Sequence, residues 1–189
     1  SNQRLLWASK GLDTKKHQLL NEVVKEILGD KEMAVLSGPS FAKEVAMGLP
    51  TAINIASENY NFAHDLLLRF QTKRFRVEVT SDIIGVELGG AMKNVLAIAV
   101  GITEGLGFGA NAKAAVITYG LSEMIELGLV LGAKQETFLG LSGLGDLVLT
   151  CTDNQSRNRR LGLALGRGQT LEETKKLIGT TEGYDTAKN

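Results

Sequence analysis

The apolar pattern of this chain changes period once, near Ser81, and that change decides what the chain can fold into. Before it, short apolar runs alternate with amphipathic segments. Residues 4–8, 33–36, 51–56 and 74–79 read as strands; residues 14–28 and 61–70 read as helices, and residues 41–47 as one or two helical turns. In the first helix Leu19, Leu20, Val23, Val24, Ile27 and Leu28 fall on one face. Strands alternating with helices imply βαβ units and a mostly parallel sheet. Four strands make a small sheet of that kind, so residues 1–80 read as the second half of a larger one. After Ser81 the strand signals stop. Residues 82–101 form one long apolar helix and Gly105 to Gly109 a glycine-rich loop. Further helices are expected at 112–127, 156–165 and 171–177, with a turn at 136–139 and an apolar run at 141–150. Residues 81–189 are therefore expected to be an all-helical domain.

The composition narrows the chemistry. Twenty-one Lys and Arg balance twenty-one Asp and Glu, which argues against nucleic-acid or membrane-surface binding, since both need a positive field. The one cysteine, Cys151, rules out an internal disulfide and a cysteine-rich zinc cluster, and fits a reducing compartment. His17 and His64 lie far apart in polar segments, so neither a histidine triad nor a multi-histidine metal site is expected. The longest purely apolar stretch, residues 95–102, reads as too short to span a bilayer, and the opening residues do not read as a signal peptide.

Three constellations could carry chemistry with what remains. In Glu87-Leu88-Gly89-Gly90-Ala91-Met92-Lys93-Asn94-Val95, two adjacent glycines inside a helix cost about 1 kcal/mol each against alanine. They persist most easily where a backbone or ligand comes close. Lys93 shares their face one turn on, among small and apolar residues. Buried there, it would lose basicity and could accept a proton near neutral pH; the plainer reading is a lysine that snorkels to solvent. Ser156-Arg157-Asn158-Arg159-Arg160 places three arginines at a helix amino end, where an anion among them would offset the repulsion; the alternative is a solvated basic face. Asp146, in Gly143-Leu144-Gly145-Asp146-Leu147, sits in an apolar run and needs a partner, Lys93 or an arginine, unless it caps an exposed turn. Lys10-Gly11 and Ser37-Gly38-Pro39-Ser40 each end a strand, and ligands bind outside the carboxyl ends of parallel strands.

These motifs, in this order, with Ser9-Lys10-Gly11-Leu12, Phe41-Ala42, Glu44-Val45, Gly105-Leu106-Gly107-Phe108-Gly109, Thr150-Cys151 and Glu182-Gly183, resemble the bacterial NAD(P)-dependent sn-glycerol-3-phosphate dehydrogenases over essentially the whole chain. The resemblance implies an α/β remnant of a Rossmann-type dinucleotide-binding sheet in residues 1–80. It implies an all-α substrate domain, similar to the C-terminal domain of 6-phosphogluconate dehydrogenase, in residues 81–189. It implies a cytoplasmic oxidoreductase that interconverts dihydroxyacetone phosphate and sn-glycerol 3-phosphate with NAD or NADP and no metal, feeding phospholipid synthesis. A homodimer is the assembly considered.

Lys93 matches the family's proton acceptor. Lys10, Ser40, Asp146, Ser156, Arg157 and Asn158 match substrate contacts, and Lys10, Gly38, Ala42, Arg157 and Glu182 match cofactor contacts. Tyr119 stands where the family usually has arginine, which puts an ionic contact there in doubt. The family opens with a strand–helix unit bearing a dinucleotide glycine turn, and these 189 residues contain no G-x-G-x-x-G. The segment alone is therefore expected to turn over little. Two rival readings are a related two-domain hydroxy-acid dehydrogenase and a non-catalytic helical module that binds phosphate or a partner; the arginine cluster favours a small phosphate.

Overall fold

A computed structural model describes residues 3–188. Strands β1 (Leu5–Trp7), β2 (Met33–Ser37), β3 (Thr51–Ala56) and β4 (Phe75–Thr80) form one sheet in that order. Between them lie helices α1 (Leu20–Leu28), α2 (Ala42–Ala46) and α3 (Tyr60–Phe70). The pairs β1–β2 and β3–β4 are parallel, but β2–β3 is antiparallel, with Val35 opposite Ala56 and Ser37 opposite Asn54. The sheet is mostly parallel, as expected, with that one antiparallel joint. A parallel return needs a crossover long enough to span the sheet, and α2, at five residues, rises only about 7 Å. The chain instead turns at Gly38, whose φ of 139° lies in the range glycine favours, and residues 39–50, with α2, bring it back antiparallel. The carboxyl ends of β1 and β2 thus share an edge with the amino end of β3.

One face of the sheet packs Ala34, Ile53, Ile55 and Val77 against Phe62 and Leu66 of α3. The other packs Met33, Val35 and Ala56 against Ile83 and Val86, the first turn of α4 (Ile83–Gly105). Asp82 starts that helix: its Oδ1 accepts from Gly85 N at 2.9 Å, and its Oδ2 accepts from Lys134 N at 2.8 Å and Thr137 Oγ1 at 2.6 Å. Around α4 stand α5 (Ala110–Val130), α6 (Gln135–Leu139), a π-helical turn (Leu141–Gly145), α7 (Asp146–Thr152), α8 (Arg157–Gly166), α9 (Leu171–Ile178) and α10 (Glu182–Ala187).

Several boundaries differ from the sequence expectation, each for a local reason. α1 begins at Leu20, not at residue 14, because the Asp13 carboxylate accepts from Lys15 N and Lys16 N and ties that stretch into a turn. Ile27 and Leu28, placed on the buried face by periodicity, are exposed at 73% and 49%. α4 does not stop at residue 101. Gly101 and Gly105 face Gly162 and Gly166 of α8 so closely that a Cβ on Gly101 would strike Arg159 O and come within 2.7 Å of Leu163 N. Glycine therefore continues the helix by letting a second backbone touch it, and the loop expected from Gly105 shrinks. At 23 residues α4 is also long and apolar enough to cross a membrane, unlike the shorter run found in the sequence, though most of it is packed against protein. α10 carries no apolar period and was not expected.

Replacing Gly101 with alanine should destabilise the fold by about 1–3 kcal/mol or more, because the overlap is with rigid backbone on both sides. A lowered denaturant midpoint with an unchanged slope would be the signature.

Candidate active site

The local fold aims Asp146 inward. Gly145 N bonds Gly140 O at 3.1 Å, the widened spacing of a π-turn. A Cβ on Gly143 would overlap the Phe138 backbone, so the turn packs directly on α6. Ser142 fastens it to the sheet, donating from its N (3.0 Å) and Oγ (2.8 Å) to Asn54 Oδ1 on β3. Asp146 then opens α7 with 1% of its surface exposed. The positive end of that helix favours its carboxylate.

Each oxygen of Asp146 holds one lysine. Lys93 Nζ lies 2.6 Å from Oδ1 and Lys10 Nζ 2.6 Å from Oδ2. Lys93 also donates to Thr150 Oγ1 at 2.9 Å, and Thr150 Oγ1 donates to Asp146 O at 2.6 Å. Lys10 donates further to Gly38 O at 3.3 Å, and Ser40 Oγ donates to the same carbonyl at 3.0 Å. The glycine pair of α4 makes this convergence sterically possible. A Cβ on Gly89 would stand 2.6 Å from Ser142 O, and one on Gly90 would stand 3.2 Å from Lys10 Cγ. Lys93 is buried, not snorkelling. Burial lowers its pKa to about 8, against the pull of Asp146 in the opposite direction, with the Lys10 charge adding to the decrease.

These groups open into a cavity of about 490 Å³ at the shared strand edge. It is lined by Lys10, Ser40, Ala42, Lys93, Ser156, Arg157, Asn158 and Glu182, all named from the sequence, together with Asn94, Thr150 and Gln155, which were given no role there. Asp146 lies beneath the wall. Gly38 is not part of the lining; its carbonyl holds Lys10 and Ser40. Thr150 stands four residues after Asp146, a helical spacing that could have revealed it.

The arginine cluster divides. Ser156 caps α8 by accepting from Arg159 N at 3.1 Å. Arg157 reaches the cavity mouth and pairs with Glu182 Oε1 at 3.0 Å, both side chains nearly half exposed. Asn158 is buried: its Nδ2 donates to Asn94 Oδ1 at 2.9 Å and its Oδ1 accepts from Gly183 N at 3.0 Å. Arg159 turns away from the cavity into the helix interface, bonding Glu104 and Asn154 at 2.6 Å each. The anion site expected among three arginines therefore rests on one. Burial pushes the Cys151 thiol up to about 12, which leaves it protonated and unreactive.

A larger hollow of about 570 Å³ at the other end of β2 is lined by Lys25, Asp30, Glu32, Glu58 and Asn59. Most of its polar groups are exposed, and four of them pair, Lys25 with Glu58 at 3.5 Å and Asn59 with Glu32 at 2.8 Å. The converging buried charges are at the first cavity, which is where chemistry is placed. Among the described residues no group of three His, Cys, Asp or Glu side chains is placed to hold a metal ion.

Comparison with known proteins identifies the family. Residues 82–189 match the family described as NAD-dependent glycerol-3-phosphate dehydrogenase C-terminus, and residues 1–63 its N-terminus. The glycerol-3-phosphate dehydrogenase [NAD(P)+] of Alkalilimnicola ehrlichii is 58% identical over 185 residues, covering 97% of this chain and 56% of that protein. The crystal structure of glycerol-3-phosphate dehydrogenase from Coxiella burnetii is similar with a TM-score of 0.94 and 57% identity, over 97% of this chain and 57% of that one. The glycerol-3-phosphate dehydrogenase of Saccharomyces cerevisiae is similar at 0.83 and 30% identity, over 98% and 59%. The chain spans about half the length of the curated relatives it matches.

An Asp146→Asn substitution leaves two ammonium groups without their buried counterion. It should cost about 3–5 kcal/mol near neutral pH. Removing Asp146 also removes the influence that raises the Lys93 pKa, so in the variant it falls below about 8. Between that value and the ordinary lysine value of 10.5, the unfolded chain binds more protons than the folded one. The variant's stability should therefore rise with pH across this window. Melting temperatures measured from pH 7 to 10 should show the rise, and adding Lys93→Met should flatten it.

Proposed function

The chain belongs to the NAD-dependent glycerol-3-phosphate dehydrogenase family, and from that premise we propose that it carries the substrate-binding and proton-transfer groups for interconverting dihydroxyacetone phosphate and sn-glycerol 3-phosphate. The observation that carries this reading is Lys93. It is a buried amine with a pKa near 8, fixed by Asp146 and Thr150, and it faces a cavity whose mouth holds Arg157. In the oxidation direction neutral Lys93 takes the proton from the carbon-2 hydroxyl; in the reduction direction the ammonium returns it. Asp146 holds Lys93 in place and offsets the charge it gains. Lys10, anchored by the other oxygen of Asp146, supplies a fixed positive charge to the carbonyl oxygen or to the ring end of the cofactor.

Arg157 engages the substrate phosphate, exchanging Glu182 for it, with the Ser156 and Asn158 neighbourhood holding the arginine in register. Ser40 completes the substrate contacts. A nicotinamide dinucleotide, NAD or NADP, accepts or gives the hydride when bound. Lys10, Ala42, Arg157 and Glu182 line one cavity, and its cations Lys10 and Arg157, the latter paired with Glu182, suit its ring end and the substrate phosphate together. Gly38 contributes through the turn that places Lys10. The role proposed for the reaction is supply of glycerol phosphate for phospholipids, in the cytoplasm, where the free thiol of Cys151 is at home. The domain roles follow: residues 1–80 to the cofactor side, residues 81–189 to the substrate and proton transfer.

In the enzyme carrying this segment, Lys93→Met leaves Asp146 to Lys10 alone and should lower stability; in the folded variant cofactor affinity should be kept while turnover falls by roughly 10²–10⁴-fold. The wild-type oxidation rate should climb with pH through about 8 as Lys93 loses its proton, and the variant should lose that climb. Unchanged turnover and pH profile would leave Lys93 as a packed helix residue and make Lys10 the next candidate.

Arg157→Ala should raise the Michaelis constant for dihydroxyacetone phosphate, with a loss on the order of 1.5–3 kcal/mol for a charge-assisted bond. The half-exposed Glu182 pair places the expectation at the lower end of that range. Steady-state kinetics with phosphate as a competing inhibitor separate this from a general loss of structure.

A further inference from the structure

Glu87 is buried on α4, six residues before Lys93, and among the described residues no cation forms an ion pair with it. Its two oxygens are divided between two segments. Oε1 accepts from Trp7 Nε1 at 3.1 Å, at the end of β1, and Oε2 accepts from Asn21 N at 3.2 Å, in the first turn of α1. Residues 8–19 connect those two points, and Lys10 lies in this connection. Apart from one turn at residues 14–16, that connection has no regular structure to fix its course. Both of its ends are instead bound to one side chain of the helix that carries Lys93.

Between Glu87 and Lys93, Gly90 leaves the groove in which the Lys10 stem runs. A Cβ there would stand 3.2 Å from Lys10 Cγ and 3.3 Å from Ser37 Oγ, a buried hydroxyl with no partner. We propose that Glu87 is a positioning residue: its carboxylate clamps both ends of the Lys10 connection to α4, and so holds Lys10 Nζ against Asp146. The contribution of Lys10 to the substrate site rests on the function proposed above, whereas the clamp itself is a statement about geometry. Burial pushes the Glu87 carboxyl up to about 7 despite the two donated bonds. So costly a group, with no charged partner, is hard to account for by stability alone.

Glutamine is the discriminating replacement. It has one acceptor oxygen and a donor NH₂, while both partners of Glu87 are donors, so one of the two bonds must be lost. Trp7→Phe removes the other half of one bond and leaves Glu87 in place, which keeps the test valid if Glu87→Gln folds poorly. The first measurement uses this chain and a small amine-acylating ester, with modification at each lysine followed by mass spectrometry. Lys10 should react several-fold faster in both variants, while the exposed Lys43 and Lys73 keep their wild-type rates. The second measurement is steady-state kinetics in the enzyme carrying this segment. The Michaelis constant for dihydroxyacetone phosphate should rise several-fold, with kcat at high pH close to wild type and the Lys93 pH profile moved to higher pH as the Lys10 charge withdraws.

An unchanged Lys10 rate in the folded variants overturns the proposal, and so does a parallel increase at all three lysines, which would mean general loosening. Faster reaction at Lys10 alone with an unaltered Michaelis constant would uphold the clamp and remove Lys10 from the substrate contacts instead.

Discussion

Asp146 is the charge around which this molecule is arranged. It is almost fully buried, and two lysines from distant parts of the sequence reach it, one on each oxygen. A carboxylate so placed cannot be hydrated, so its stability depends on both partners arriving with good geometry. Lys10 comes from the end of a sheet strand and Lys93 from the middle of the long helix. Their meeting at Asp146 fixes the sheet against the helical half at the point where the cavity opens. The same arrangement sets the chemistry. Burial and the second ammonium weaken the hold of Lys93 on its proton, and the carboxylate stops that loss from going further.

Close backbone contact is what makes the arrangement reachable. Gly89 and Gly90 admit the π-turn and the Lys10 stem to one flank of α4, and Gly101 and Gly105 admit α8 to the other. α8 then carries Ser156, Arg157 and Asn158 to the cavity mouth, and Asn158 captures Gly183 so that Glu182 lies beside Arg157. The glycines in α4 lower its intrinsic helix propensity, and the packing they permit on both sides offsets that loss.

The sequence made some of this legible and concealed the rest, for physical reasons. The long helix and the sheet strands could be read because periodicity and composition are local, whereas the sequence left Lys93 open between burial and a snorkel to solvent. The adjacent glycines signalled a close approach, but not whether a backbone or a ligand made it; the structure puts Ser142 O at Gly89 and a lysine stem at Gly90. The antiparallel joint between β2 and β3 depends on whether a short connection spans a sheet, which alternation of strands and helices does not encode. The arginines looked equivalent in sequence, yet Arg159 faces Glu104 and only Arg157 faces the cavity, a consequence of helix phase against α4. Glu87 was quoted only as part of a motif, because its partners are a tryptophan and a backbone amide dozens of residues away.

Burial also separates the two kinds of ion pair at the site. Lys93 and Asp146 are shielded from water, so the amine keeps a fixed position against the carboxylate. Arg157 and Glu182 remain nearly half exposed. Pairs of that kind contribute at most about 1 kcal/mol, so an incoming anion can displace the carboxylate at little cost. Until then Glu182 keeps the guanidinium extended across the cavity mouth, and side-chain entropy that binding would otherwise have to supply has already been spent. The same chemistry, ammonium or guanidinium against carboxylate, thus gives a fixed pair under the wall and an exchangeable one at the rim.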